Sequence, residues 1–314
     1  MRIAIVGAGG VGGLLGGLLT RAGNEVALLA RGAHLEAIRR EGLRVTNGGE
    51  TFTVHPAGAA DDPAALGGSA EAILVCVKTW QLPELAPKLS ALVGPATVVI
   101  PTENGVTAAD ELAKALGEGP VLGGTCDVSA WVEGPGRIRQ RGKGIRLVVG
   151  ERRGGSSARV ERVCGVLRAA GIEAEATQDV DAALWRKFLF IEPWGSIGAV
   201  TRASVGVVRT LPETRALLTA AIQELLAVAR ARGVRLSDNV AEDTLHRIGL
   251  LPPDATSSMQ RDIQAGRPSE LHDQTGAALR LAREAGVTAP VHEFLYAALL
   301  PQESVSRSSG IQRQ

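Results

Sequence analysis

The first twelve residues constrain this chain more than any other segment. Arg2 to Val6 is a short apolar run, and Gly7-Ala8-Gly9-Gly10-Val11-Gly12 follows it directly and opens a helical pattern. A strand, a glycine turn and a helix in that order form the phosphate-binding start of a βαβ unit. Gly7 permits the tight turn, Gly9 and Gly10 leave the backbone open to a pyrophosphate, and Gly12 lets the helix close on the strand. The helix amino terminus then attracts the phosphate charge. These four glycines are the expected dinucleotide contacts.

The charge-free stretch from Ile3 to Leu19 behind Met1-Arg2 also has the outline of a signal peptide. Seven of its seventeen residues are glycine, which is poor for membrane burial, and no small-residue cleavage site leads into a new polar region. The turn and helix explain the same residues better.

Up to about residue 175, apolar runs alternate with helical patterns: Arg2 to Val6, Glu25 to Ala30, Ala72 to Val77, Thr97 to Pro101 and Val121 to Ser129. That rhythm predicts a Rossmann-type α/β domain, a doubly wound parallel sheet with helices on both faces. Leu43 to Thr46 and Thr51 to Val54 flank Asn47-Gly48-Gly49, a hairpin signal, and Gly136 to Gln140 with Ile145 to Gly150 reads as a second antiparallel pair. From Asp179 the periodicity is helical throughout, over Asp179 to Phe190, Pro212 to Arg232, Asp238 to Ile248, Thr256 to Gln264 and Ser269 to Ala285. The expected organisation is a dinucleotide domain over 1–178, an all-α substrate domain over 179–302 and a flexible Ser-rich tail over 303–314. A cleft between two such domains is a common place for a ligand.

Composition narrows the partner. The 34 Lys+Arg nearly balance the 33 Asp+Glu, and no long run of one sign occurs, so a nucleic-acid or membrane surface is a poor match and a small molecule a better one. Cys76, Cys126 and Cys164 are odd in number and widely spaced, supporting neither a disulfide framework nor a metal site and fitting a reducing cytoplasm. With four Trp, four Phe and one Tyr, the core must come from Ala, Leu and Val. The long helices carry enough of these to pack within the domain or against a second subunit as a homodimer.

The second strand ends Leu28-Leu29-Ala30-Arg31, about twenty residues past the turn, where an NAD-binding chain usually carries Asp or Glu for the ribose hydroxyls. An arginine there can pair with a 2′-phosphate, which predicts NADPH rather than NADH. Lys78 follows the strand 72–77, and Asn104 follows Pro101-Thr102-Glu103, so both are expected at the carboxyl edge of the sheet. Lys187 lies in the apolar helix Leu184-Trp185-Arg186-Lys187-Phe188, where a solvated surface lysine is the ordinary alternative. Ser258 could cap the helix beginning near Thr256, and Glu270 could be a first-turn helix acid.

These motifs together resemble the ketopantoate reductases, the 2-dehydropantoate 2-reductase family, over nearly the whole chain. The matching segments are the amino-terminal GAGGVGG turn, Val77-Lys78-Thr79, Asn104-Gly105, Trp185-Arg186-Lys187, and Thr256-Ser257-Ser258-Met259 with Asp262, Gly266-Arg267 and Glu270. The resemblance implies NADPH-dependent reduction of a 2-oxo acid, 2-dehydropantoate to pantoate. It makes Lys187 the general acid and Glu270 the second candidate catalytic residue, bonding and orienting the substrate. It puts Lys78 and Asn104 in the cofactor and substrate cleft, and Ser258 on the substrate carboxylate. An ammonium beside the carbonyl would stabilise the charge that hydride delivery creates and supply the proton.

The match breaks after the lysine. Where the family usually has two asparagines that hold the polar end of the substrate, this chain has Ile191 and Gly195, and Trp194 is the expected filler of the space. Gln274-Thr275-Gly276 stands where Ile-Asn-Gly is common, and Glu103 where glutamine is usual. Losing two amides would leave substrate hydroxyls unpaired, so a more apolar 2-oxo acid, or a cyclic imine, is the alternative substrate. A cofactor-binding sensor without turnover is the alternative outside enzymology, although it would have no use for Lys187.

Overall fold

The computed structural model describes residues 1–142 and 144–311, the side chains of 309–311 excepted. The chain forms two compact units, one of residues 1–103 with 108–183 and the other of 104–107 with the chain from Leu184 onward.

The first unit opens with strand β1 (Arg2–Val6), helix α1 (Gly10–Arg21), β2 (Glu25–Leu29) and α2 (Gly32–Glu41). The hairpin β3 (Leu43–Asn47) and β4 (Glu50–Val54) follows, then β5 (Gly58–Ala60), β6 (Ala70–Val75), the single turn α3 (Leu82–Leu85), β7 (Val93–Pro101) and α4 (Ala108–Leu116). The unit closes with β8 (Leu122–Asp127), β9 (Ala130–Gly134), β10 (Arg137–Gln140), β11 (Arg146–Glu151), α5 (Ala158–Ala169) and β12 (Glu173–Thr177). A five-stranded parallel sheet in the order β5-β2-β1-β6-β7 is its centre. Its strands read as continuous apolar runs because both faces are covered. Ile3, Ile5, Val26, Leu28, Ala72 and Leu74 enter one core, while Ala4, Val6, Ala27, Leu29, Ile73 and Val75 enter the other.

Two expectations about the first unit need correction. The segments 136–140 and 145–150 do not pair with each other. β10 runs antiparallel to β9 and parallel to β3 in a four-stranded sheet, whereas β11 lies between β8 and β12 in a three-stranded one. The strand expected at Val121 to Ser129 meets the parallel sheet only through one bridge, Val121 with Val99 of β7, and from Leu122 pairs antiparallel with β11 in the smaller sheet as β8. Close packing on α1 draws β10 away: a methyl group at Gly13 would stand 2.7 Å from Ile138, and one at Gly17 would stand 2.5 Å from Val45. Part of the glycine excess thus serves the seating of α1 against the sheets.

The second unit is helical: α6 (Val180–Thr201, which begins in the first unit), α7 (Val205–Thr210), α8 (Pro212–Ala231), α9 (Val240–Gly249), α10 (Ser258–Gln264), α11 (Thr275–Glu284) and α12 (Pro290–Ile311). Helix α6 is apolar on nearly every side and is correspondingly buried, with Trp185, Phe188, Leu189, Trp194 and Ile197 in one core with α8, α11 and α12. Residues 269–274, expected as the start of a helix, form a turn before α11.

The tail expected from residue 303 is the last part of α12 as far as Ile311, and 312–314 lie outside the described residues. Glu303 is fully buried there and accepts from Ser269 N at 3.1 Å and Ser269 Oγ at 2.6 Å, while Arg307 Nε donates to it at 2.6 Å. Among the described residues no helix is long and apolar enough to cross a membrane.

Candidate active site

In the first unit, the strands end level with one another. Val6 is opposite Leu29 and Val75, and Val75 is opposite Pro101. The Gly7 turn, Arg31 and Lys78 therefore leave one edge of the parallel sheet, each within three residues of its strand. The turn is held by Gly7 N and Ala8 N donating to Leu29 O at 3.2 and 2.8 Å, and Gly7 has φ +98°, a conformation that favours glycine. His34, absent from the sequence reading, lies beside Ala8, and its Nδ1 accepts from Gly136 N at 3.0 Å. Burial lowers its pKa.

The glycines of the turn have different reasons. A Cβ on Gly12 would come within 2.1 Å of Gly7 O, and one on Gly10 within 2.3 Å of Ala130 O, so the fold itself forbids side chains there. A Cβ on Gly9, the residue preceding α1, would meet nothing within 4 Å. The first-turn N–H groups of α1 have no partner within the helix, so the open space at Gly9 is a fitting cradle for a phosphate. Gly9→Ala should leave the melting temperature unchanged and weaken dinucleotide binding by tenfold or more, whereas Gly12→Ala should cost roughly 1–3 kcal/mol of stability. Thermal unfolding alongside cofactor titration checks both; equal loss of stability in the two variants would mean that Gly9 is structural.

Arg31 is exposed between β2 and α2, and its side chain makes no hydrogen bond or ion pair among the described residues. Lys78 is half-buried, its backbone N donating to Gln81 Oε1 at 3.1 Å.

The other candidates all lie in the helical unit. Lys187 is buried on α6 at 8% exposure, which removes the surface alternative. Ile191 and Gly195 follow at intervals of four on the same face. Ile191 is half-buried, and a Cβ on Gly195 would stand 3.0 Å from Ser257 Oγ. The space beside Gly195 is thus taken by the start of α10. Trp194 lies in the apolar core of the helical unit, against which Ile191 also packs.

Ser257, and not Ser258, caps α10 by accepting from Gln260 N at 3.0 Å, which leaves the half-buried Ser258 hydroxyl without a bond among the described residues. Asp262 Oδ1 receives Arg267 Nε and Nη2 at 3.1 and 2.8 Å, closing the far end of α10.

Glu270 is buried in the 269–274 turn, outside any helix. Its carbonyl accepts from Gln274 N at 2.9 Å, and Gln274 Nε2 lies 3.5 Å from Glu270 Oε2. The Asn104-Gly105 segment meets this turn, since a Cβ on Gly105, φ +107°, would stand 3.3 Å from Asp273 O. Asp273 is a second acid that the sequence reading missed. Burial, aided by the charge of Glu270, raises its pKa to about 6. The helical unit therefore gathers Asn104 at the Glu270 turn, and Gly195 of the lysine-bearing helix at the Ser257-Ser258 end of α10.

Comparison with known proteins gives a consistent affiliation. Residues 3–154 match the family model described as ketopantoate reductase PanE/ApbA, and 179–303 match its C-terminal counterpart. A 2-dehydropantoate 2-reductase of Halobacterium salinarum is 30% identical, covering 93% of this chain and 95% of its own. Among solved structures, a PanE/ApbA family ketopantoate reductase from Ralstonia eutropha superposes with TM-score 0.89 at 31% identity, covering 98% of this chain and all of its own. A D-mandelate dehydrogenase solved with NADH and anilino(oxo)acetate shares the fold, with TM-score 0.88 at 22% identity, covering 98% of this chain and 99% of its own.

Proposed function

The chain belongs to the ketopantoate reductase family, a family of oxidoreductases, and from that premise we propose that it reduces the carbonyl of a 2-oxo acid with NADPH. The observation that carries this reading is the gathering, within one helical unit, of a buried lysine helix, a buried Glu270 turn and the Asn104-Gly105 segment. In this reading Gly7, Gly9, Gly10 and Gly12 hold the pyrophosphate, Arg31 pairs with the 2′-phosphate, and Lys78 and Asn104 contact cofactor or substrate. When bound, NADPH supplies the hydride. Lys187 stabilises the charge developing on the carbonyl oxygen and gives it a proton, Glu270 orients the substrate, and Ser258 bonds its carboxylate. Cys76, Cys126 and Cys164 form no disulfide among the described residues, which suits a cytoplasmic enzyme.

The Halobacterium salinarum relative is named a 2-dehydropantoate 2-reductase. A second reading, a more apolar 2-oxo acid or a cyclic imine, is favoured by the lysine helix itself. Ile191 and Gly195 offer no hydrogen-bonding side chain, and Ser257 packs where one would extend. A panel of ketopantoate, branched 2-oxo acids and cyclic imines, each with NADPH and with NADH, decides among them. The expected result is NADPH oxidation with a 2-oxo acid and at least a tenfold preference over NADH that Arg31→Ala abolishes. Ketopantoate turnover with kcat/KM of about 10⁴ M⁻¹s⁻¹ or more would set aside the apolar reading. No NADPH oxidation with any carbonyl compound would leave a binding protein.

A further inference from the structure

Helix α6 carries, five residues beyond Lys187, a carboxylate that the proposed chemistry does not use. Glu192 is fully buried and both its oxygens are taken: Oε1 accepts from Thr275 Oγ1 at 2.7 Å, and Oε2 pairs with His292 Nε2 at 2.9 Å. The opposite ring nitrogen, His292 Nδ1, lies 2.6 Å from Glu224 Oε2. Glu224 also accepts the backbone N–H groups of Val291 and His292 at 2.8 and 3.1 Å. The network joins α6, α8, α12 and the first residue of α11.

Stability alone is a weak reason for such a cluster, because well-packed apolar residues often stabilise a core as well as a buried ion pair does. Directional bonds also fix the relative register of the elements they join. Thr275 is the residue after Gln274, which closes on the Glu270 carbonyl, so the Glu192 bond grips one end of the Glu270 turn. The other end is gripped by α12 through Ser269 and Glu303. The turn is thus tied at both ends, and one tie runs directly to the helix that carries Lys187.

We propose that Glu192, held by His292 and bonded to Thr275, is a positioning residue that locks the Lys187 helix in register with the Glu270 turn. The inference rests on the reading of Lys187 and Glu270 as the groups that act on the substrate. Glu192 touches neither substrate nor cofactor in this scheme; it acts through Thr275 and the α6 backbone. A displacement near 1 Å at an acting group can cost about 10²-fold in rate, so one bond of this kind is enough to be seen in turnover.

Thr275→Val removes the hydroxyl at nearly constant volume, and Thr275→Ser restores it. The expected result is a 10- to 100-fold fall in kcat for Thr275→Val, with the melting temperature within a few degrees of wild type and rescue by Thr275→Ser. Glu192→Gln, which keeps an acceptor for Thr275, should retain more activity than Glu192→Leu. Hydrogen exchange supplies a readout that does not depend on turnover: the Asp273 and Gln274 amides should exchange at least tenfold faster in Thr275→Val, while α8 amides keep their rates. Unchanged exchange at the turn, or wild-type kcat in Thr275→Val, overturns the positioning role. A wild-type enzyme inactive on every 2-oxo acid overturns instead the functional reading on which the role rests.

Discussion

Lys187→Ala should lower kcat for 2-oxo acid reduction by about 10²-fold or more while leaving the dissociation constant for NADPH near its wild-type value. The size of the effect follows from the surroundings of the lysine. Lys187 lies on α6 at 8% exposure, on a helix whose neighbouring Phe188 and Leu189 are wholly buried. In such poorly solvated surroundings an ammonium acts on a developing alkoxide more strongly than it would in water. Lys187→Arg separates the two duties of the group. A guanidinium keeps the charge and does not release a proton in the working pH range, so it should recover little of the lost rate if proton donation matters. Recovery close to wild type would assign Lys187 a purely electrostatic part. Near-wild-type turnover by Lys187→Ala, with NADPH oxidation followed in steady state and in single turnovers, would falsify its role as the acid.

The α/β half of the molecule was legible because its signals are local. The strand, the glycine turn and the helix of residues 2–21 occur in one uninterrupted segment, and the structure adds only the separate reason for each glycine. Pairing between distant segments was not legible. Nothing in the composition of 136–150 tells that β10 joins β3 while β11 joins β8.

The helical site follows the same division. Lys187, Ser258 and Glu270 could be named from motifs, but the exchange of capping from Ser258 to Ser257 is a matter of one residue and a backbone angle. Glu192 and His292 are 100 positions apart and form no spacing pattern. A glutamate in an apolar helix was their one available signal, since a charge at such a position must find a partner. The carboxyl end misled for a related reason. Serines and other polar residues suggested a mobile tail, and a long-range anchor, Glu303 on Ser269, holds that segment helical.

The buried pair also predicts the largest loss of stability. His292→Ala should lower the free energy of unfolding by about 3–5 kcal/mol, the usual cost of leaving one member of a buried ion pair unpaired. Glu192, fully buried, would then keep only the Thr275 hydroxyl as partner. Both ring nitrogens of His292 face carboxylates, so the ring is held as an imidazolium. Burial opposes that charge, but Glu192 first and then Glu224 outweigh it and raise the pKa from 6.5 to about 9. A raised histidine pKa means that the folded state binds the proton more tightly than the unfolded state. The stabilisation is therefore complete below about pH 6.5 and is lost as pH rises through about 9. A shift of that size corresponds to about 3 kcal/mol, comparable with the mutational cost. Denaturant unfolding across this range should show wild-type stability falling with pH, and a His292→Ala variant with a flatter profile, so that the two converge at the alkaline end. Parallel profiles would mean that His292 does not carry the charge. Together with its altered pH slope, a loss of stability in His292→Ala would mark the imidazolium as the centre of the network that grips the Glu270 turn.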